Sequence, residues 1–93
     1  MAIDLSLIES YQFNNNLKSR TLGNVLMAYN PETGETMELN DTGMDIFNLL
    51  RQEIPIPQIL MKLTEQYEVA QEDILEDVTE FIERMITQGV ISL

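Results

Sequence analysis

The chain has no cysteine, no histidine and no tryptophan among its 93 residues. Without cysteine there are no disulfides and no thiolate metal sites. Without histidine, the commonest general base and the commonest metal ligand are both missing. Basic residues are scarce too: five Lys and Arg stand against sixteen Asp and Glu, a formal net charge of −11. Such a surface repels phosphate backbones and anionic membranes, so nucleic acid and membrane are not expected as partners. The same Coulomb argument favours a basic peptide or protein. No apolar run approaches the roughly 18–20 residues that span a bilayer. The opening MAIDLSLIES has acids but no Lys or Arg, unlike a secretory signal, which places the expected location in the cytoplasm.

Catalytic constellations are equally absent. A nucleophilic triad would have to pair Ser or Thr with Lys, and lysine occurs only as Lys18 and Lys62. Neither GxxxxGK[ST] nor GxGxxG occurs, which removes the usual nucleotide-binding loops. The carboxylates lack the spacing of a calcium loop. The chain is therefore expected to be no enzyme and to carry no cofactor and no metal.

What is present is the material of one small domain. Hydrophobic residues make up 44% of the chain, enough for a modest core and too many for a disordered segment. Residues 1–16 read as an N-terminal arm ended by Asn14-Asn15-Asn16, with residues 17–93 as the domain proper. Leu17 to Leu22 has strand character, and Gly23-Asn24 is a hairpin signal before a second strand, Val25 to Tyr29. Asn30-Pro31-Glu32-Thr33-Gly34 is a second turn. The third strand, Glu35 to Leu39, alternates: Met37 and Leu39 share one face, Thr36 and Glu38 the other. A meander with the second strand in the middle leaves the third strand as a free edge.

Helices follow. Asn40 suits an N-cap whose side chain accepts an orphan N–H, before a short helix to about Gln52. Ile54-Pro55-Ile56-Pro57 breaks it, and Pro57 fits the first turn of the next helix. Ile59, Leu60, Leu63 and Tyr67 form that second helix's expected buried face. The third helix runs from about Gln71 to Gln88 without a good side-chain cap at Ala70, and Gly89 closes it. The expected class is α+β, with an N-terminal three-stranded antiparallel sheet followed by three helices. That order is winged helix-turn-helix-like with the sheet placed first. Placed at about 100° per residue, the third helix's apolar residues, Ile74 to Ile86, fill an arc of roughly 140°. A packed surface helix needs an apolar stripe of only about 100° or a little more. The excess width suits a groove wall as well as a deep core position, on either flank. The helix also bears six acids against one base, Arg84, the wrong balance for a DNA recognition helix.

Taken together, these segments resemble the PqqD-like proteins, named for coenzyme PQQ synthesis protein D. They are also called RiPP recognition elements, and they bind the precursor peptides of ribosomal natural products. The resemblance rests on four motifs spanning about Leu17 to Val90. These are the strand pair around NPETGE, the LNDTG…IFNLL junction from Leu39 to Leu50, ILMKLTEQYEV in the second helix, and EDILEDVTEFIERMITQGVI at the close. Two helix starts depart from the pattern, at Ile56-Pro57 and near Ala70. The resemblance implies that a leader segment of the precursor adds as an extra strand to the third strand, in the groove between it and the third helix. Carried onto this chain, the pairing edge is Glu35, Thr36, Met37, Glu38 and Leu39. The helix wall is Ile74, Asp77, Val78 and Phe81, with Arg84 beside them. Implied partners are the precursor peptide and a modifying enzyme such as a radical SAM enzyme, a cyclase or a leader peptidase. A lasso-peptide version would serve a leader peptidase. A different class, a winged-helix DNA-binding or structural interaction module, is the rival. The oligomeric state stays open, because an unpaired strand can also swap or dimerise.

Overall fold

The computed structural model describes residues 4–93. A 3-10 turn at Leu5–Leu7 leads to β1 (Gln12–Phe13), β2 (Lys18–Leu22), β3 (Val25–Asn30) and β4 (Glu35–Leu39). Helices α1 (Asp41–Arg51), α2 (Ile56–Tyr67) and α3 (Gln71–Thr87) follow, and β5 (Ile91–Ser92) ends the chain. The class is α+β, as expected: a three-stranded antiparallel sheet in the order β2-β3-β4, then three helices.

Turn chemistry sets the register. The Gly23-Asn24 turn places Leu22 opposite Val25, and the Pro31–Gly34 turn places Asn30 opposite Glu35. Strict alternation then puts Leu26, Ala28, Met37 and Leu39 on the inner face, all buried. The helices cover the inner face of β3 and β4 and leave β2 exposed along its whole length. The inward side chains of α1 are Ile46, Phe47 and Leu50, those of α2 are Ile56, Ile59, Leu60 and Leu63, and those of α3 are Val78, Ile82 and Met85. These helices and the sheet share one core.

Two local expectations need correction. Asn40 occupies the N-cap of α1, but its side chain makes no capping hydrogen bond. The junction is held instead by backbone, with the Met44 amide donating to the Asn40 carbonyl at 2.7 Å. Tyr67 is not part of the buried face of α2: the residue is 38% exposed. It lies in the last turn, beyond the reach of the core, and its hydroxyl donates to Asp45 on α1.

The far end of α3 is tied to the sheet by one buried amide. Asn30 is buried at the end of β3. Its Nδ2 donates to the Gln88 carbonyl at 3.0 Å, and its Oδ1 accepts from the Glu32 amide at 3.0 Å. Gly89 sits over this amide at φ +76°, where a Cβ would lie 2.9 Å from Asn30 Nδ2. Both the left-handed backbone and the close approach require glycine here. This amide ties the C-terminal end of α3 to the start of the β3–β4 turn.

The arm packs into the body. Leu5, Tyr11 and Phe13 are buried. β1 pairs with β5, Phe13 opposite Ile91. The Ile56 amide donates to the Ile8 carbonyl at 2.9 Å, and the Phe13 amide donates to Glu53 Oε2 at 2.9 Å. Tyr11 donates its hydroxyl to the Ile54 carbonyl at 2.6 Å. Burial first, and the Glu53 charge second, push the Tyr11 phenol up from 10.0 to about 12. A raised pKa means that the folded state favours the neutral phenol. The stabilisation is therefore fully present below pH 10 and is lost as pH climbs from 10.0 to about 12. Urea midpoints of the wild type should fall across that window, and Tyr11→Phe should flatten the decline. An unchanged slope in Tyr11→Phe would remove Tyr11 as the cause.

Candidate functional site

β4 is an edge strand. It pairs with β3 on one side, and among the described residues no strand pairs with the other. Its outer backbone N–H and C=O groups are therefore open to another extended chain. Glu35, Thr36 and Glu38 point to solvent while Met37 and Leu39 anchor the strand in the core. The charges on Glu35 and Glu38 discourage indiscriminate edge pairing.

Where β4 ends, two hollows meet at Asn40. The first, of about 320 Å³, is lined by Val25, Glu38, Leu39, Asn40 and Arg84, and it lies between the edge strand and α3. The second, of about 370 Å³, is a mainly apolar cleft enclosed by all three helices. Asn40, Thr42, Gly43 and Ile46 come from the start of α1. Leu63, Tyr67 and Val69 come from the end of α2 and the residues after it, while Ile74, Asp77, Val78 and Phe81 come from α3.

Phe81 and Arg84 stand between the two hollows. The Arg84 guanidinium lies 5.9 Å from the centroid of the Phe81 ring, a cation–π arrangement that holds the charge at the border. On the inner side, Gly43 brings α1 so close that a Cβ would lie 3.2 Å from Phe81 Cε2 and 3.4 Å from Leu39 Cβ. Across the cleft, Tyr67 is pinned by its hydrogen bond to Asp45, and Gln66 donates to the same carboxylate at 2.9 Å. That hydrogen bond, followed by burial, raises the Tyr67 phenol above its ordinary value. It stays a neutral donor at physiological pH.

The sequence profile described as Coenzyme PQQ synthesis protein D (PqqD) matches residues 26–91. The chain belongs to the PqqD family. No curated protein matches it. Among solved structures, "TbiB1 in Complex with the TbiA(beta) Leader Peptide" is similar, at a TM-score of 0.78 and 16% identity. The alignment covers 86% of this chain and 93% of that one. At such low identity the likeness shows a shared fold.

Within this PqqD domain the expected site residues fall into separate groups. Glu38, Leu39 and Arg84 share the hollow beside β4. Ile74, Asp77, Val78 and Phe81 share the helical cleft. Thr36 is turned to the outer sheet face, in a shallow depression with Arg20, Met27 and Tyr29. Glu35 is exposed at the strand's start, and Met37 is buried beneath it. Of the third helix's two flanks, the one bearing Ile74 and Phe81 borders the cleft. Leu75 and Ile86, on the other flank, pack partly buried against the core.

Sequence reasoning missed the contributions of α1 and α2 to the cleft. One signal was legible: Gly43 interrupts a helix where glycine costs about 1 kcal/mol relative to Ala, which marks a close approach. Tyr67 and Val69 gave no such signal, because their place in the wall depends on how α2 crosses α3. Among the described residues no cluster of three or more Asp, Glu, His or Cys is arranged to hold a metal, and no helix is long and apolar enough to cross a membrane.

Proposed function

We propose that this PqqD-family chain is a non-catalytic RiPP recognition element that binds the leader region of a ribosomally made precursor peptide. The leader adds antiparallel or parallel to the free edge of β4, in the groove between that strand and α3. Main-chain hydrogen bonds set its register, and the two hollows select its side chains. Holding the leader raises the concentration of the core peptide at the active site of a partner modifying enzyme, such as a radical SAM enzyme. The open β4 edge next to a lined hollow is the observation that carries this reading. It gains support from the fold shared with TbiB1, a protein solved with a leader peptide bound.

Charge weighs against the DNA-binding alternative. Glu72, Asp73, Glu76, Asp77, Glu80 and Glu83 are all exposed on α3, the helix that would have to enter a groove of nucleic acid. The same field attracts a leader that carries Lys or Arg.

The test is a titration of the 15N-labelled protein with the leader of the precursor encoded beside its gene. Amide shifts should concentrate in Glu35–Leu39 and in α3 around Ile74–Phe81. Affinity measured by calorimetry should drop severalfold as NaCl rises from about 50 to about 500 mM, because exposed charges are screened. No heat and unmoved β4 amides would sink the proposal. Salt-insensitive binding would sink only its electrostatic part.

A further inference from the structure

The helical cleft differs from the β4 hollow in both chemistry and position. Its walls are apolar side chains from three helices, including Ile46, Leu63, Ile74 and Val78. Two aromatic rings, Tyr67 and Phe81, face into it. Its one charged lining group is Asp77, which is exposed at the rim on the side bordering Phe81. Outside the lining, the Asp45 carboxylate accepts the Tyr67 hydroxyl and holds that ring at the cleft. The cleft therefore combines a greasy interior with one exposed carboxylate, Asp77, at its edge.

A purely aliphatic side chain would satisfy the interior and leave the rim's field unused. A short polar one would leave the interior wet. Lys and Arg satisfy both parts, since their methylene stems cover apolar surface while the charged head stays at the water boundary. Aromatic faces next to carboxylates further favour a cation. The cleft's volume of about 370 Å³ leaves room for such a stem with its head still outside. The one basic neighbour, Arg84, is held over the far side of Phe81 and lines the β4 hollow instead.

We infer that the α1–α2–α3 cleft is a separate seat for one long basic side chain, Lys or Arg, of a bound peptide, with Asp77 receiving its charged head. This deepens the leader-binding reading and rests on it. Asn40 lines both hollows, so a peptide leaving the end of β4 has a continuous path into the cleft. The seat reads a residue beyond the strand-paired segment, adding selectivity that main-chain pairing lacks.

The experiment uses capped single residues, which cannot form a strand. N-acetyl-lysine amide, N-acetyl-arginine amide and N-acetyl-norleucine amide are titrated into the 15N-labelled full chain. Norleucine keeps an apolar stem of similar length and lacks the charge. The Lys and Arg probes should shift amides at Thr42, Gly43, Val69, Ile74 and Asp77, leaving Glu35–Leu39 unmoved. Norleucine should bind more weakly. Asp77→Asn should weaken the Lys probe about threefold to fivefold, the scale of one exposed charge pair. Glu83→Gln, on the opposite face of α3, should leave it unchanged. Equal binding of norleucine and lysine would overturn the inference in favour of an apolar seat. Equal losses in Glu83→Gln and Asp77→Asn, or shifts scattered over the acidic surface, would overturn it in favour of general attraction. Because the probes do not pair with β4, their failure leaves leader strand addition standing, and a failure of strand addition leaves the probe result readable.

Discussion

Phe47→Ala should destabilise the protein by about 3–5 kcal/mol, the range for removing a fully enclosed aromatic side chain. Phe47 has no exposed surface, and it sits where three parts of the chain converge. Its ring meets Phe13 of β1 edge-on, with centroids 5.5 Å apart and planes at 83°. The Arg51 guanidinium lies 5.0 Å from its centroid, and that same guanidinium donates to Ser19 Oγ on β2 at 2.8 Å. One ring thus holds the arm, α1 and the outer strand together. A domain of this size has a total stability of only about 5–14 kcal/mol at ~0.05–0.15 kcal/mol per residue. The substitution removes about a fifth of that at the least. The melting temperature should fall by more than about 12 °C, and the urea midpoint should fall with an unchanged slope. Phe47→Leu, which keeps most of the volume and loses the aromatic contact, should cost far less. A Phe47→Ala midpoint matching the wild type would show that the ring does not anchor the core.

This convergence was only half legible in the sequence. The apolar spacing of Ile46, Phe47 and Leu50 marks the inner face of α1 from local periodicity alone, as the alternation of Met37 and Leu39 does for β4. Phe13 was invisible in the same terms. Its strand is two residues long and pairs with a two-residue strand at the opposite end of the chain, so no local pattern announces it. Tyr11 and Ile8 reach the α1–α2 connection through hydrogen bonds that depend on the finished fold. The site divides in the same way. The free edge of β4 follows from turn positions and strand order, which are local facts. The cleft needs the crossing of α2 over α3; the breadth of α3's apolar arc left both flanks open, and only the family resemblance singled out Ile74, Asp77, Val78 and Phe81. Asn40 shows the limit of residue-type rules. It is a favoured capping residue at a helix start, yet its side chain makes no cap. It lines both hollows instead.

Gly43→Leu should leave a folded protein that binds its leader more than tenfold more weakly. Gly43 is buried in the first turn of α1, and its missing side chain is part of what keeps the cleft open. For Gly43→Ala two effects oppose each other. Alanine in place of glycine in a helix gains up to about 1 kcal/mol. Against this, the new Cβ would lie 3.2 Å from Phe81 Cε2, so the ring must give by a few tenths of an ångström. Phe81 is half-buried and borders open cleft space, so it has somewhere to go. The alanine variant should therefore be close to wild type in stability, with a modest loss of affinity as the ring moves inward. Leucine adds three more carbons between Leu39 and Phe81. Overpacking of that kind typically costs about 1–3 kcal/mol, which the fold can absorb. Binding has no such reserve, because the added atoms occupy the space that a peptide side chain would fill. A tenfold loss corresponds to about 1.4 kcal/mol, less than the apolar contact a filled cleft supplies. Melting temperature and amide dispersion separate the two effects. If Gly43→Leu melts as a folded domain and still binds leader with native affinity, the cleft takes no part in recognition, and peptide selection rests on the β4 hollow alone.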